Sequence, residues 1–265
     1  FPQTRMGVEQ LYVNYFNRAK SYQELKNSGT PYRVDEELET LAEILNGERF
    51  ISCHSYVQSE INMLMKVAES FDFTVNTFTH ILEGYKLADK MKAHGVGAST
   101  FSDWWAYKYE VIHAIPYNAA IMAKEGVTTA INSDDDEMAR RLNQEAAKTI
   151  KYGDMSELEA WKMVTINPAK LLHIDDRTGS LREGKDADIV LWDGHPLSVY
   201  TKAEKTLVDG AVYFDLAQDQ EKRLAMVQEK NDLIQIMISD KSGGSGPKRA
   251  PRKRDRIDFE CETIN

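Results

Sequence analysis

Short apolar segments alternate with amphipathic helical segments between residues 48 and 165 of this 265-residue chain. Apolar periodicity predicts four strands and four helices, in the order 49–54, 57–70, 73–80, 82–94, 95–100, 116–126, 127–134 and about 136–151. Strands that alternate with helices at this spacing indicate βαβ units and therefore a parallel sheet. Four consecutive units match half of a (β/α)8 barrel.

Further helices are predicted outside this region. Their patterns lie at residues 5–26, 35–46, 157–166 and 217–239. Ser156 and Glu159 have the spacing of a capping box at the start of the third of these helices. Asn167 and Pro168 are typical of an N-cap and a first helical residue, so they predict a separate short helix.

The chain changes character after residue 172. A strand at 187–193 is followed by a hairpin at 205–214, in which Asp209 and Gly210 suit a two-residue type I′ turn. These elements predict a small antiparallel unit. The predicted organisation is thus an α/β region, an antiparallel unit, a C-terminal helix and a flexible basic tail, over residues 1–172, 173–216, 217–240 and 241–265.

Composition and charge exclude several classes of protein. With 42% hydrophobic and 28% charged residues, the chain is neither collagen-like nor wholly disordered. No apolar run approaches the roughly 20 residues of a membrane-spanning helix, and no signal peptide is visible, so the compartment stays open. The net charge is −9, although residues 248–256 are strongly basic. The remainder is therefore strongly acidic and a poor partner for nucleic acid.

Three side chains with metal-binding chemistry lie at predicted strand ends. His54 ends the first strand, His80 the second and Asp134 the fourth, and the carboxyl ends of parallel strands meet at one mouth. Two imidazoles and a carboxylate are a credible ligand set for a divalent metal such as zinc. Alternatively, each histidine is a hydrogen-bonded structural residue and Asp134 caps the following helix. Glu83 either contacts a substrate or begins a helix.

The third strand is followed by a segment rich in aromatic residues, 101–111. Trp105 and Tyr109 lie close to Lys108 in the sequence, and this combination suits a substrate wall or lid with an anion-binding lysine. It suits a hydrophobic plug or a dimer contact equally well. His113 is a further candidate for the lining of the mouth.

The chain resembles the metal-dependent amidohydrolase superfamily, in particular its imidazolonepropionase-like members, over roughly residues 1–216. The matching runs include RFISCHSYVQSEI, FTHILEGYKLADKM, FSDWWAYKYEVIHAIPYNAAIMAKEGV, INSDDDEMARRLNQEAAKTIKYG, VTINPAKLL and GSLREGKDADIVLWDGHPL. The most specific of them are TINPAKLL and the start of the last run.

The resemblance implies the C-terminal half of a (β/α)8 TIM-type barrel plus part of a small β-sandwich, the latter within residues 173–216. It further implies that His54 and His80 are the strand-five and strand-six metal ligands. Asp134 would be the strand-eight carboxylate, both a ligand and the general base. Arg5 would lie near the mouth of the barrel and contact the substrate.

The implied activity is hydrolysis of a C–N bond in a small-molecule amide, linear or cyclic, by metal-activated water. One or two divalent ions are expected, with zinc favoured over iron and manganese. The strand-one His-x-His pair and the strand-four ligand of the family are not in this sequence, so the N-terminal half of the protein is an expected partner; self-association stays open. The alternatives are a non-catalytic scaffold with this fold, and a dipeptidase or lactonase of the same superfamily.

Overall fold

Four short parallel strands form one sheet in the computed structural model, which describes residues 1–242. They are β1 (Ser52–His54), β2 (Thr77–Thr79), β3 (Gly97–Thr100) and β4 (Thr129–Ile131), arranged in the order β1-β2-β3-β4. Every neighbouring pair is parallel, so the four carboxyl ends lie at the same edge of the sheet. The predicted α/β fold with a parallel sheet is confirmed.

The helices follow the predicted order, although the predicted helix at 157–166 already ends at Lys162 and two other predicted helices are interrupted. Their bounds are α1 (Arg5–Asn27), α2 (Glu36–Leu45), α3 (Gln58–Ser70), α4 (Ala88–His94), α5 (Asn118–Lys124), α6 (Asp136–Ala139), α7 (Leu142–Gly153), α8 (Glu157–Lys162), α9 (Ile166–Leu171) and α10 (Leu216–Ser242). The predicted helix at 136–151 divides into α6 and α7. The predicted helix at 82–94 is a 3₁₀ turn over Gly84–Lys86 followed by α4.

The two predicted helix starts after α7 have different outcomes. Ser156 caps α8, since its Oγ accepts a hydrogen bond from the Glu159 N–H at 3.2 Å. The prediction for Asn167 is wrong, because α9 already begins at Ile166. The Asn167 side-chain amide instead donates to the Thr129 carbonyl of β4 at 2.8 Å. This hydrogen bond links α9 to the sheet.

The antiparallel unit consists of three strands, β5 (Ile189–Trp192), β6 (Ala203–Val208) and β7 (Ala211–Asp215), in the order β5-β6-β7. Asp209 and Gly210 connect β6 and β7 and both have positive φ, 50° and 78°. Positive φ at both central residues defines the predicted type I′ turn, which is confirmed.

By compactness the chain divides into residues 1–213 and a second unit that begins at Phe214 and contains α10. The finer division of the first unit at residue 172 stays a prediction. The predicted flexible tail lies outside the described residues, apart from Lys241 and Ser242 at the end of α10. None of the helices described up to residue 242 has the length and apolarity needed to cross a membrane.

The main hydrophobic core involves β2 and the helices that follow the strands. Phe78 of β2 is fully buried, together with Ile61 of α3, Met91 of α4 and Met122 of α5. Burial of one such side chain contributes about 1.5–3 kcal/mol relative to full exposure. This core fixes the strands and leaves the side chains at their carboxyl ends for other roles.

One buried amide joins three segments at the carboxyl edge of the sheet. Asn118, at the start of α5, is 1% exposed. Its Nδ2 donates to the Ile81 carbonyl at 2.7 Å and to the Thr100 Oγ1 at 3.0 Å. Its Oδ1 accepts from the Tyr85 N–H at 2.8 Å, which removes this N–H from a helical pattern and explains the late start of α4.

Replacement of Asn118 by leucine should lower the free energy of unfolding by about 3 kcal/mol, because buried groups at three positions would lose their hydrogen-bond partner. Urea denaturation measures this change. The exposed Asn46 provides a control, and Asn46→Ala should change stability by less than about 0.5 kcal/mol. Equal effects of the two substitutions would contradict the importance of the Asn118 amide.

Candidate active site

Two of the three predicted metal ligands lie side by side. His54 is the last residue of β1 and His80 follows the last residue of β2. Their ring centroids are 4.9 Å apart. The sheet brings them together because β1 and β2 are neighbouring parallel strands, in which His54 is paired with Thr79.

The backbone of His80 is in the left-handed region, with φ 56°. Residues other than glycine rarely adopt this conformation, and such strain is common at functional sites. The adjacent Ile81 N–H donates to the Ser99 carbonyl at 3.1 Å, which ties this turn to β3. The ring of His80 also lies 4.9 Å from the ring of Phe101.

Burial lowers the pKa of His80 below its usual value. The nearby His54 and Lys108 lower it further, whereas the Asp134 carboxylate acts in the opposite direction. The neutral imidazole is therefore favoured at neutral pH, and this is the form that binds metal ions.

Asp134 is exposed in the loop between β4 and α6. The residue that caps α6 is Asp135, whose Oδ1 accepts from the Met138 N–H at 2.9 Å. The helix-cap explanation considered for Asp134 thus applies to its neighbour. The Asp134 carboxylate acts electrostatically on His80 and raises its pKa, against the larger effect of burial.

The histidine pair suits a divalent cation, although the described residues do not complete a site. Two imidazoles on one tetrahedral ion, with metal–nitrogen bonds of about 2.0–2.1 Å, have ring centres about 5 Å apart. The separation of His54 and His80 agrees with this value. Within residues 1–242, however, no group of three histidine, cysteine, aspartate or glutamate side chains is arranged to hold an ion. The ligand role of Asp134 stays a prediction.

Lys108 lies beside the histidine pair. Its Nζ donates to the Tyr56 Oη at 3.2 Å and lies 5.4 Å from the ring centre of Tyr107. The Tyr56 ring in turn makes an edge contact with His54, with centroids 4.7 Å apart. Tyr56 was not among the predicted site residues, because it lies past the end of the strand.

The other predicted substrate contacts are all exposed. Trp105 and Tyr109 are exposed, at 45% and 85%. His113 is also exposed, and its carbonyl accepts from the Tyr85 hydroxyl at 3.0 Å. Arg5 is paired with Glu60 of α3 at 2.7 Å. The structure shows no contact in its described part that joins these four residues to the histidine pair, and their roles stay predictions.

Trp104 continues the ring contacts of the site. It stacks on Phe101 at 4.8 Å, and Phe101 contacts His80.

Glu83 has a structural role instead of a substrate contact. Its carboxylate is buried and accepts a hydrogen bond at 3.1 Å from the N–H of Gln58, the first residue of α3.

A charged network anchors the start of the aromatic segment to α7. Ser102 donates to the buried carboxylate of Glu145. Lys148 donates to Glu145 and to Asp103, both at 2.9 Å. Burial opposes the charge of Lys148, but these hydrogen bonds outweigh it and raise the pKa of the ammonium group. In the sequence, Glu145 and Lys148 resemble an ordinary surface pair on a helix.

Comparison with known proteins gives consistent matches. The model of the Amidohydrolase family matches residues 19–241. Amidohydrolase tasK of Hapsidospora irregularis is 28% identical over 186 residues, which are 68% of this chain and 19% of that protein. The imidazolonepropionase of Thermoplasma volcanium is 36% identical over 78 residues, which are 29% of this chain and 19% of that protein. The chain therefore spans about a fifth of these curated relatives.

A solved structure supports the same relationship. The crystal structure of an amidohydrolase from Thermotoga maritima MSB8 has a TM-score of 0.73 and 28% identity, and the match covers 81% of this chain and 57% of that chain. The predicted resemblance to amidohydrolases, with imidazolonepropionase among the relatives, is confirmed.

Removal of the Lys148 charge should destabilise the fold. Lys148→Met leaves the Glu145 carboxylate, which is 9% exposed, without its cation. We expect a loss of about 2 kcal/mol, below the roughly 3–5 kcal/mol of a fully buried pair, because Lys148 is itself 33% exposed. Urea denaturation measures it. Lys66→Met, which breaks the exposed pair with Glu69, is the matched control and should cost less than about 1 kcal/mol.

Proposed function

Because the chain belongs to the amidohydrolase family, we propose that it acts in a metal-dependent hydrolase that cleaves the C–N bond of a small-molecule amide. The observation that carries this proposal is the pair of imidazoles, His54 and His80, at the carboxyl ends of neighbouring parallel strands. A relative named imidazolonepropionase favours an amide that is part of a ring.

The architecture we propose is the C-terminal half of a (β/α)8 barrel, with residues 173–216 as part of a β-sandwich. In the described residues β1 and β4 are the outer strands of the sheet, and a complete barrel needs further strands beyond them. Part of the outer edge of β4 is already bonded, because the Ile131 N–H donates to the Met163 carbonyl at 2.9 Å and the Thr129 carbonyl accepts from the Asn167 amide. The N-terminal half of the protein, within the same polypeptide or from another chain, would supply those strands and the remaining ligands.

His54 and His80 would hold the cation, and Asp134 would be a third ligand. Imidazole ligands suit zinc and iron, and a carboxylate ligand also suits manganese. One or two ions are proposed, and zinc is preferred because four-coordinate sites with histidine are typical of it. When bound, a divalent cation polarises the scissile carbonyl and lowers the pKa of water.

Asp134 is the proposed general base. Its carboxylate accepts a proton from the attacking water, whose oxygen forms the new bond to the carbonyl carbon. The same carboxyl then returns the proton to the leaving nitrogen as the C–N bond breaks. Its exposure to solvent suits this transfer, and its carboxylate oxygens are not needed to cap α6, because Asp135 is the cap.

Lys108 is the proposed binding site for an anionic group of the substrate. Tyr56 holds the ammonium group beside His54 and thereby sets its distance from the reacting bond. The exposed side chains of Trp105, Tyr109, His113 and Arg5 are proposed to form the substrate wall and its rim.

Loss of either histidine should remove the cation and the activity together. In the intact polypeptide, His54→Ala and His80→Ala should weaken zinc affinity by more than the roughly 10–100-fold that the loss of a supporting residue costs. Metal analysis and turnover of linear and cyclic amides measure the two effects. His195→Ala, at an exposed histidine of the antiparallel unit, is the control. Full zinc occupancy without both histidines would refute the proposed ligand pair.

Asp134→Asn, assayed at saturating zinc, should lower turnover. The amide keeps the size of the side chain but is a poor base, so kcat should fall about 100-fold or more. Unchanged turnover of the same amide substrates would exclude Asp134 as the general base.

Lys108→Met should raise KM roughly tenfold or more for a substrate with a carboxylate, because a charge-assisted hydrogen bond contributes about 1.5–3 kcal/mol. Tyr56→Phe should have a smaller effect in the same direction, since it removes only the hydroxyl that holds the ammonium group. The ratio of kcat/KM for a carboxylate substrate to that for its neutral amide measures the preference for the anionic group. A preference unchanged in Lys108→Met would place the anion site elsewhere.

A further inference from the structure

Asn132 lies between the end of β4 and the ring of His80. Its backbone N–H donates to the Thr100 carbonyl at 3.0 Å, which fixes its position against β3. Its side-chain nitrogen, Nδ2, lies 3.0 Å from Nδ1 of His80. Its Oδ1 is buried and has no hydrogen-bond partner within residues 1–242.

The contact with Nδ1 has two chemically distinct forms. If the amide nitrogen faces Nδ1, then Nδ1 accepts and the proton of the neutral ring lies on Nε2. Oδ1 then stays buried and unpaired, at a cost of about 1–3 kcal/mol. If the amide is rotated by 180°, Oδ1 accepts the proton of Nδ1 and gains a partner.

The two forms differ in the nitrogen that is left to bind something else. In the first form neither nitrogen of His80 has a free lone pair, because Nδ1 accepts from the amide and Nε2 carries the proton. In the second form the lone pair of Nε2 is available. Only the second form gives Oδ1 a partner and also allows His80 to act as a ligand.

We infer that Asn132 is a positioning residue whose Oδ1 accepts the Nδ1 proton of His80 and so keeps Nε2 available as a ligand. The inference rests on the proposed function only for what Nε2 binds. The tautomer itself is a property of the protein without metal. A proton on Nδ1 would also be specific evidence for the contact with Asn132, since an unconstrained neutral imidazole prefers the proton on Nε2.

The tautomer can be measured directly in the metal-free intact polypeptide. Long-range ¹H–¹⁵N correlation spectra at neutral pH distinguish protonated from unprotonated ring nitrogens, and His80→Gln identifies the signals of His80. The native protein should have the proton on Nδ1. Asn132→Leu should transfer it largely to Nε2, whereas Asn132→Asp, which retains an acceptor, should keep it on Nδ1.

Zinc affinity provides the second readout. Asn132→Leu and Asn132→Ala should weaken zinc binding roughly 10–100-fold, as expected for loss of a residue that orients a ligand, and Asn132→Asp should restore it. Asn143→Ala removes an amide that donates to the Pro196 carbonyl and should change neither readout. Having both Leu and Ala variants protects the test against misfolding of one of them.

Two results would overturn the inference: a native His80 with its proton on Nε2, or an Asn132→Leu protein whose tautomer is that of the native protein. Failure of the proposed function is a separate outcome. If the native protein binds no zinc and hydrolyses no amide, the metal-dependent activity is refuted, while the position of the proton still decides the role of Asn132.

Discussion

The candidate site depends on the side-chain amide of Asn118, whose nitrogen and oxygen are both hydrogen-bonded. This side chain holds the turn after β2, the end of β3 and the segment before α4 in one arrangement, through groups of Ile81, Thr100 and Tyr85. His80 immediately precedes that turn and has a backbone conformation that is unfavourable by itself. A buried network that satisfies every partner can maintain such strain, because any local relaxation would break several hydrogen bonds at once.

Much of the fold could be predicted from local sequence patterns. Apolar periodicity identified the four parallel strands, and strand direction alone places His54 and His80 at the same edge. The turn at Asp209 and Gly210 was equally predictable, because its conformation depends on the two residues themselves. These features succeed for the same reason: each is determined by a few neighbouring residues and needs no knowledge of distant contacts.

The features that could not be predicted are contacts between segments far apart in the sequence. Asn167 has the residue type of an N-cap, yet its amide bonds to a strand carbonyl 38 positions earlier. Tyr56 and Lys108 are 52 positions apart, and Lys148 reaches Asp103 across 45. Such pairings follow from how the helices pack on the sheet, which periodicity does not specify. The position of Asp134 likewise depends on the conformation of the loop after β4, which strand order does not determine.

The two parts of the site have separate supports. The amide of Asn118 secures the turn that carries His80, whereas the charged network of Ser102, Glu145 and Lys148 secures the aromatic segment. Substitutions in that segment at positions other than Phe101, whose ring contacts His80, leave the hydrogen bonds of Asn118 in place. Two chains with the same histidine pair and the same Asn118 amide can therefore differ in the side chains that the aromatic segment presents next to that pair.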